Sequence, residues 1–232
     1  MKLAIMQPYF LPYIGYFQLI ASVDKFIILD DVNYIKKGWI NRNRILLNGQ
    51  AHNFSIPLLQ ASQNKYICEM EIKKDERNQE KLLKTFRQAY SRAPYYQEVY
   101  PLIEEVIKFP TNKLSIYLLN SIKKINLYLG LTTEIINSSK IYKNTNLKGQ
   151  ERIIDICLKE KAETYLNAEG GHHLYDEEKF KESNINLKFI KPSLIPYKQM
   201  QDEFIPSLSI LDILMFNKNT FINNHLLGID IE

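Results

Sequence analysis

The first 30 residues contain two short apolar runs separated by an amphipathic segment. Residues 2–6 and 25–30 are almost continuously apolar, which is the pattern of strands buried on both faces of a parallel sheet. Residues 12–22 carry apolar side chains at helical spacing and predict a helix between the two strands. Strand, helix and strand then make one right-handed βαβ unit, because parallel strands require a crossover connection.

The same alternation returns in the second half of the chain. The pattern predicts strand 133–137, helix 149–161, strand 164–167, helix 176–182, strand 187–190 and a helix over 210–214 capped by Ser209. Strands that alternate with helices form a parallel sheet with helices on its faces. We therefore predict an α/β, Rossmann-like fold with a single domain over residues 1–232.

The middle of the chain departs from this alternation. Asn48-Gly49 is a strong turn signal and predicts a β-hairpin with arms over residues 40–47 and 51–57. Residues 66–72 predict a further strand. Three amphipathic helices follow, over residues 77–92, 95–109 and 111–129. We interpret residues 77–130 as a helical segment inserted into the α/β domain.

The loop after the first strand is the most distinctive part of the sequence. Residues 7–17 contain two prolines, one glycine and five aromatic residues, a composition that suits neither a helix nor a strand. A shaped loop between a strand and a helix N-terminus is the usual place for a phosphate or a nucleotide in an α/β sheet. The alternative is a loop whose aromatic side chains only fill the core.

Composition is that of an ordinary globular protein. Of the 232 residues, 45% are hydrophobic, which supplies a core of normal size. The N-terminus lacks the pattern of a targeting segment, and no run of about 18 apolar residues indicates a membrane span. Cys68 and Cys157 lie in apolar or amphipathic stretches and are expected to be reduced core thiols, as in a cytoplasmic protein.

The net charge of +4 is mild, and we expect no nucleic-acid partner from it. One basic cluster stands out, in which Lys36, Lys37, Arg42 and Arg44 surround Trp39. A flat indole beside guanidinium donors suits a nucleotide base or a sugar ring with attached phosphates. A tryptophan that only covers the hairpin is the alternative, and RNA binding by this cluster would require a steep salt dependence.

Polar groups are expected to converge where the predicted parallel strands end, because ligands bind beyond the carboxyl ends of such strands. Asp30 and Asp31 follow the second strand and would point to opposite faces if both were extended. The one that faces the site would bind Mg²⁺ or accept a proton. A simple turn after the strand is the alternative for either residue.

A second polar cluster follows the strand predicted at 164–167. Its residues are Asn167, Gly170, Gly171, His172 and His173. Backbone N–H groups beside the two glycines suit a phosphate, and the imidazoles suit acid–base chemistry or a metal. Because the sequence has no cysteine cluster, a transition-metal site is disfavoured. The sequence also lacks a Walker loop, a Gly-x-Gly-x-x-Gly motif and a Gly-x-Ser-x-Gly elbow.

Several motifs form a specific pattern along nearly the whole chain. The most specific are Gln7-Pro8, Gly15-Tyr16-Phe17, Asp30-Asp31-Val32 and Lys37-Gly38-Trp39-Ile40-Asn41-Arg42-Asn43-Arg44. Others are Ile56-Pro57, Ala93-Pro94-Tyr95-Tyr96, Arg152-Ile153, Gly170-Gly171, Tyr197 with Gln199, and Ser209-Ile210 with Asp212. Together these motifs resemble the WbqC-like protein family, whose members occur in bacterial gene clusters for O-antigen and other surface polysaccharides.

A weaker similarity concerns the loop and helix after the first strand. Tyr13-Ile14-Gly15-Tyr16 is similar to the His-x-Gly-His region of nucleotidyltransferases and of pantothenate synthetase, which binds ATP phosphates. This resemblance implies a nucleotidyltransferase-like sheet and the use of ATP with Mg²⁺. Both histidine positions are tyrosines here, and because tyrosine is not cationic at neutral pH, the departure argues against adenylation unless His172, Lys36 or Arg42 supplies the charge.

The family resemblance implies a role in making or modifying an activated sugar. We expect an enzyme that modifies a nucleotide-linked amino sugar, by amide-forming ligation or by acyl transfer to the sugar amine. A non-catalytic sugar-nucleotide-binding or assembly protein is the rival interpretation, and the sequence leaves a homodimer open. The expected catalytic residues are Asp30, Asp31 and His172, with either aspartate as the Mg²⁺ ligand. The expected binding residues are Gln7, Pro8, Tyr9, Tyr13, Gly15, Tyr16, Lys36, Trp39, Asn41, Arg42, Arg44, Asn167, Gly170, Gly171 and His173.

Overall fold

A computed structural model describes residues 1–201 and 203–228 of the chain. The strands are β1 (Lys2–Met6), β2 (Lys25–Ile28), β3 (Arg42–Leu47), β4 (Gln50–Ser55), β5 (Leu58–Leu59), β6 (Glu71–Ile72), β7 (Glu134–Ile136), β8 (Thr164–Ala168) and β9 (Asn186–Ile190). The helices are α1 (Ile14–Ala21), α2 (Glu76–Tyr90), α3 (Tyr96–Lys108), α4 (Leu114–Tyr128), α5 (Gly149–Lys159), α6 (Glu177–Glu182), α7 (Ile210–Phe216) and α8 (Asn219–Phe221). Short 3₁₀ turns cover Ile67–Glu69, Ser139–Tyr142 and Glu169–Leu174, and Ile222–Leu226 forms a π-helical turn. None of the helices in the described residues is long and apolar enough to cross a membrane.

Five parallel strands form the central sheet in the order β7-β2-β1-β8-β9. The chain moves from β1 outward through β2 to β7, then returns to β8 beside β1 and moves outward to β9. The neighbouring strands β1 and β8 therefore mark the point at which the direction of winding reverses. In sheets of this kind a crevice opens at the reversal, beyond the carboxyl ends of the strands. The α/β, Rossmann-like fold predicted from the sequence is confirmed.

Helices cover both faces of the sheet, because successive residues of β1 point to opposite sides. Ala4 belongs to a core that includes α1, whereas Leu3 and Ile5 belong to a second core formed with α5 and α6. Cys157 of α5 is fully buried in the second core, and burial raises the pKa of its thiol to about 12. Such a thiol stays protonated at neutral pH and packs as a small apolar side chain.

The helices α2, α3 and α4 extend the first core away from the sheet. Phe54 of β4 links the parts of this core, because its ring lies 5.7 Å from that of Phe10 in the loop after β1 and 5.0 Å from that of Phe86 in α2. Both pairs are edge-to-face, an arrangement that aromatic rings favour. The hairpin of β3 and β4 therefore packs between the helical segment and the loop that follows β1.

Two segments differ from the elements predicted for them. The strand predicted at 66–72 is interrupted by a 3₁₀ turn over Ile67–Glu69, where the Glu69 carboxylate accepts a hydrogen bond from the Tyr66 N–H over 2.7 Å and bends the chain. Tyr66 and Met70 on either side of the turn are extended, and β6 follows. The strand predicted at 25–30 ends at Ile28, and the two aspartates after it are both buried rather than placed on opposite faces of a strand.

Candidate functional site

An open cleft of about 580 Å³ lies where the winding of the sheet reverses. The loop after β1 contributes Tyr9 and Tyr13, while Glu169 and Lys191 directly follow β8 and β9. The rest of the lining is Pro12 of the same loop, Trp39, Asn43 and Arg44 at the hairpin, and Pro192, Leu194 and Ser207 between β9 and α7. We call this cavity the switch-point cleft.

The loop after β1 is held in shape by two neighbouring elements. Asn43 of β3 is buried, and its Nδ2 donates to the carbonyl oxygens of Phe10 (3.2 Å) and Leu11 (2.7 Å). Ser209, just before α7, donates through Oγ to the same Leu11 carbonyl (2.7 Å). Leu11 has a φ of +43°, a left-handed conformation that costs a non-glycine residue free energy and that these bonds hold in place. Phe10 and Leu11 are thus buried in the core, whereas Tyr9 and Pro12 on either side of them line the cleft.

The residues predicted for ligand binding in this loop separate into two groups. Tyr9 and Tyr13 line the cleft, where burial raises the pKa of both phenols and keeps them protonated as hydrogen-bond donors. Tyr16 is almost fully buried, and its hydroxyl donates to the Gln7 carbonyl over 3.0 Å. Pro8 is buried as well. Tyr16 therefore supports the loop from behind and is not part of the cleft lining.

Trp39 holds two guanidinium groups close to its ring. The Cζ atoms of Arg42 and Arg44 lie 5.4 and 5.6 Å from the ring centre, within cation–π range. Arg42 also donates to two backbone carbonyls of the preceding turn, which ties it to that turn. Arg44 lines the cleft, donates to the Ser207 carbonyl over 3.3 Å, and has a buried Nε without a partner among the described residues. Of the two arginines, Arg44 is therefore the one whose side chain lines the cleft.

Two other predicted binding residues lie outside the cleft lining. Asn41 accepts a hydrogen bond from the Tyr34 hydroxyl (2.8 Å) and donates to the Ile56 carbonyl (2.8 Å). These bonds anchor the start of the hairpin to the chain around it. Lys36 is exposed on the turn that precedes Trp39.

The two predicted catalytic aspartates lie in a buried network and do not line the cleft. Asp31 is 3% exposed and pairs with Arg152 of α5 at 2.6 Å, and the Ser139 hydroxyl donates to the same carboxylate oxygen. Asp30 accepts a hydrogen bond from the Ser138 hydroxyl over 2.6 Å. Burial raises the pKa of Asp30, and the Ser138 hydrogen bond opposes that rise. The two carboxylates thus join the end of β2 to the segment after β7 and to α5.

The predicted glycine–histidine cluster forms the turn after β8, beside the cleft. Asn167 is buried and its Nδ2 donates to the Tyr175 hydroxyl over 3.0 Å, so it fixes the turn from inside. A Cβ on Gly171 would lie 2.8 Å from that Nδ2, and glycine is therefore what allows this approach. The His172 ring stacks on Phe189 of β9, with ring centres 4.2 Å apart. The remaining two residues of the cluster, Gly170 and His173, are exposed.

A second groove, of about 410 Å³, adjoins the switch-point cleft. Glu169 and Lys191 line both cavities and form the boundary between them. Its other lining residues include His172, Tyr175, Glu177, Lys188 and Phe189. We call this cavity the His172 groove.

Seven residues of the cleft lining are not among the binding and catalytic residues expected from the sequence, and Asn43, Glu169 and Lys191 are three of them. Glu169 and Lys191 each stand one position after a strand of the parallel sheet, so the rule that ligands bind beyond the carboxyl ends of strands could have identified them. Asn43 gives no such local signal. Its role depends on hydrogen bonds to a loop 32 and 33 positions earlier in the chain.

Comparison with known proteins identifies the same family as the sequence motifs do. A family model described as the WbqC-like protein family matches residues 7–223, a range that includes the whole switch-point cleft. The chain belongs to the WbqC-like protein family. This WbqC-like chain is 31% identical over 219 residues to the uncharacterized protein Rv1507c of Mycobacterium tuberculosis (strain ATCC 25618 / H37Rv), and the match covers 92% of each chain. No solved structure matches the WbqC-like chain.

Proposed function

We propose that this WbqC-like protein is an enzyme that binds a nucleotide-linked amino sugar in the switch-point cleft. It forms an amide at the sugar amine, in a cell that assembles a surface polysaccharide. The observation that supports the proposal is the meeting of Trp39, Arg44 and Lys191 at the winding reversal of a parallel sheet. This is the position at which such sheets bind nucleotides, and the family resemblance implies the polysaccharide context.

The charges of the cleft suit the diphosphate of a nucleotide sugar. Arg44 and Lys191 supply two cations, and Glu169 is the single carboxylate among the described lining residues. Arg44 is partly exposed and lines the cleft, so its guanidinium group can donate to a phosphate oxygen. Trp39 is 43% exposed and offers ring surface to a base or a sugar.

Glu169 accepts the proton that the sugar amine releases when it is acylated. The amine nitrogen attacks the carbonyl carbon of an activated carboxylic acid, a C–N bond forms, and the bond from that carbon to the leaving phosphate group breaks. ATP with Mg²⁺ would supply that phosphate, because amide formation from a free carboxylate is uphill in water: a carboxylate oxygen would attack the γ-phosphorus, and the bond from that phosphorus to ADP would break. Since Arg152 already gives Asp31 a cationic partner, Asp31 is not proposed as a Mg²⁺ ligand.

Isothermal titration calorimetry tests the binding step. UDP-glucosamine, UDP and ATP–Mg²⁺ are titrated separately into the full chain, with circular dichroism to establish that the chain is folded. We expect saturable binding of UDP-glucosamine that is tighter than that of UDP, because the amine adds a contact with Glu169. A folded chain that binds none of the three would overturn the proposal.

A second function, binding without catalysis, is favoured by one observation. Asp30 and Asp31 lie in the buried network, which leaves Glu169 as the single carboxylate near the proposed ligand among the described residues of the cleft. Incubation with ATP–Mg²⁺, UDP-glucosamine and small carboxylic acids separates the two functions. A new amide detected by mass spectrometry supports the enzyme, whereas binding without turnover supports the rival.

A further inference from the structure

We propose that the His172 groove is a second ligand site, and that its ligand is a small amino acid, the acyl donor for the sugar held next to it. This inference rests on the proposed function for the identity of the acceptor. Its starting point is the shared boundary: Glu169 and Lys191 line both the groove and the switch-point cleft. Ligands in the two cavities therefore meet at one carboxylate and one ammonium group.

The charges of the groove suit a ligand that carries both signs. Glu169 and Glu177 contribute two carboxylates, and Lys188 and Lys191 contribute two ammonium groups. Both carboxylates would repel the phosphates of a ligand such as ATP if they lay in the groove. The α-ammonium and α-carboxylate of an amino acid can each meet an opposite charge.

Most of these charges have no ion-pair partner of their own. Among the described residues, Glu169, Lys188 and Lys191 have no oppositely charged group within 4.0 Å, while Glu177 pairs with Lys181 of α6 at 3.1 Å. A ligand can therefore engage three of the four charges without breaking an ion pair within the protein.

An ordered aromatic wall completes the groove. The His172 ring stacks on Phe189 at 4.2 Å with an angle of 18° between the planes, and Tyr175 is held by Asn167 through the bond described above. A wall of this kind can pack against a small apolar side chain. Within the groove the ammonium group of Lys188 faces the donor's carboxylate, while at the boundary Glu169 faces the acceptor's amine and Lys191 faces the acceptor's diphosphate.

Saturation-transfer NMR with the common L-amino acids, supplied one at a time to the full chain, tests the inference. We expect at least one to bind saturably, and Lys188→Gln and Glu177→Gln each to weaken it by about tenfold, the loss expected for one charge-assisted contact. Glu178→Gln is the matched control, because Glu178 also pairs with Lys181 but does not line the groove. UDP-glucosamine affinity is expected to stay within about twofold in all three variants, because none of these side chains lines the switch-point cleft.

The outcomes separate the inference from the proposed function. UDP-glucosamine binding without binding of any amino acid overturns the inference and leaves the proposed function in place. Amino-acid binding that the groove variants weaken, in a chain that does not bind UDP-glucosamine, supports the groove as a site and overturns the proposed function. Amino-acid binding of equal strength in Lys188→Gln, Glu177→Gln and Glu178→Gln overturns the assignment to this groove.

Discussion

The ring of Tyr13 lies against the backbone of Gly15. A Cβ on Gly15 would come 2.5 Å from Cε2 and 2.7 Å from the hydroxyl oxygen of Tyr13, distances at which one group must move. Gly15 is the second residue of α1, and no side chain caps the first turn of this helix. The glycine therefore lets an aromatic ring rest on the helix start and form part of the switch-point cleft.

Gly15→Ala should displace the Tyr13 ring and weaken ligand binding with little loss of stability. The free energy of unfolding should change by less than about 1 kcal/mol, because alanine favours the helix and Tyr13 can rotate away. We expect the dissociation constant for UDP-glucosamine to rise by about tenfold, measured by calorimetry. Gly170→Ala is the control, since a Cβ there meets nothing within 4 Å. Unchanged affinity in Gly15→Ala would show that the position of the Tyr13 ring does not matter for binding.

Arg44→Gln and Arg42→Gln form a matched pair that tests the anionic part of the ligand. Both residues lie over Trp39 at similar distances, so both variants lose a similar cation–π contact. Only Arg44 lines the cleft. We expect Arg44→Gln to weaken UDP binding by about tenfold or more, the worth of a hydrogen bond to a charged group, and Arg42→Gln by less than about threefold. Equal losses in calorimetry would assign the effect to the packing of Trp39.

The central sheet could be predicted from the sequence, because burial on both faces produces apolar runs that are a local pattern. The hairpin followed from Asn48-Gly49 for the same reason: the turn is specified by adjacent residues. The pairing of Asp31 with Arg152 could not be predicted, since the two residues are 121 positions apart. The sequence places Arg152 in an amphipathic helix, where an arginine is usually exposed, yet this one is 6% exposed.

Arg152→Met should destabilise the fold far more than the loss of an exposed ion pair. Arg152 donates to the Asp31 carboxylate (2.6 Å), the Asp31 carbonyl (3.1 Å) and the Asn144 side chain (3.0 Å). Its removal leaves a buried carboxylate without a cation, which costs about 3–5 kcal/mol in unfolding free energy. Lys124→Met is the control, because its pair with Glu105 is exposed and such pairs are worth about 1 kcal/mol or less. Urea unfolding measures both, and similar losses would contradict the structural role of the Asp31–Arg152 pair.

Asp212 should make the stability of the protein depend on pH. Asp212 is fully buried in α7 and accepts hydrogen bonds from Tyr90 (3.0 Å), Tyr197 (2.7 Å) and Gln199 (2.8 Å). Burial raises the pKa of Asp212 above its ordinary 3.8, and the three hydrogen bonds only partly oppose this. The folded chain therefore binds a proton at a pH where the unfolded chain does not. Between the raised pKa and 3.8, this residue stabilises the fold increasingly as the pH falls.

Comparison with Asp212→Asn isolates this contribution, because asparagine does not titrate. The unfolding free energy of the unaltered chain minus that of the variant should increase as the pH is lowered from 7 towards 4, measured by urea unfolding. Asp155→Asn should show the opposite trend, at pH values around and below 3.8. Burial raises the pKa of Asp155, but hydrogen bonds from Lys159 and Asn144 outweigh it and hold the pKa below the ordinary value, so its contribution is lost as the pH falls. The same direction of change in both variants would show that burial does not control the titration of Asp212.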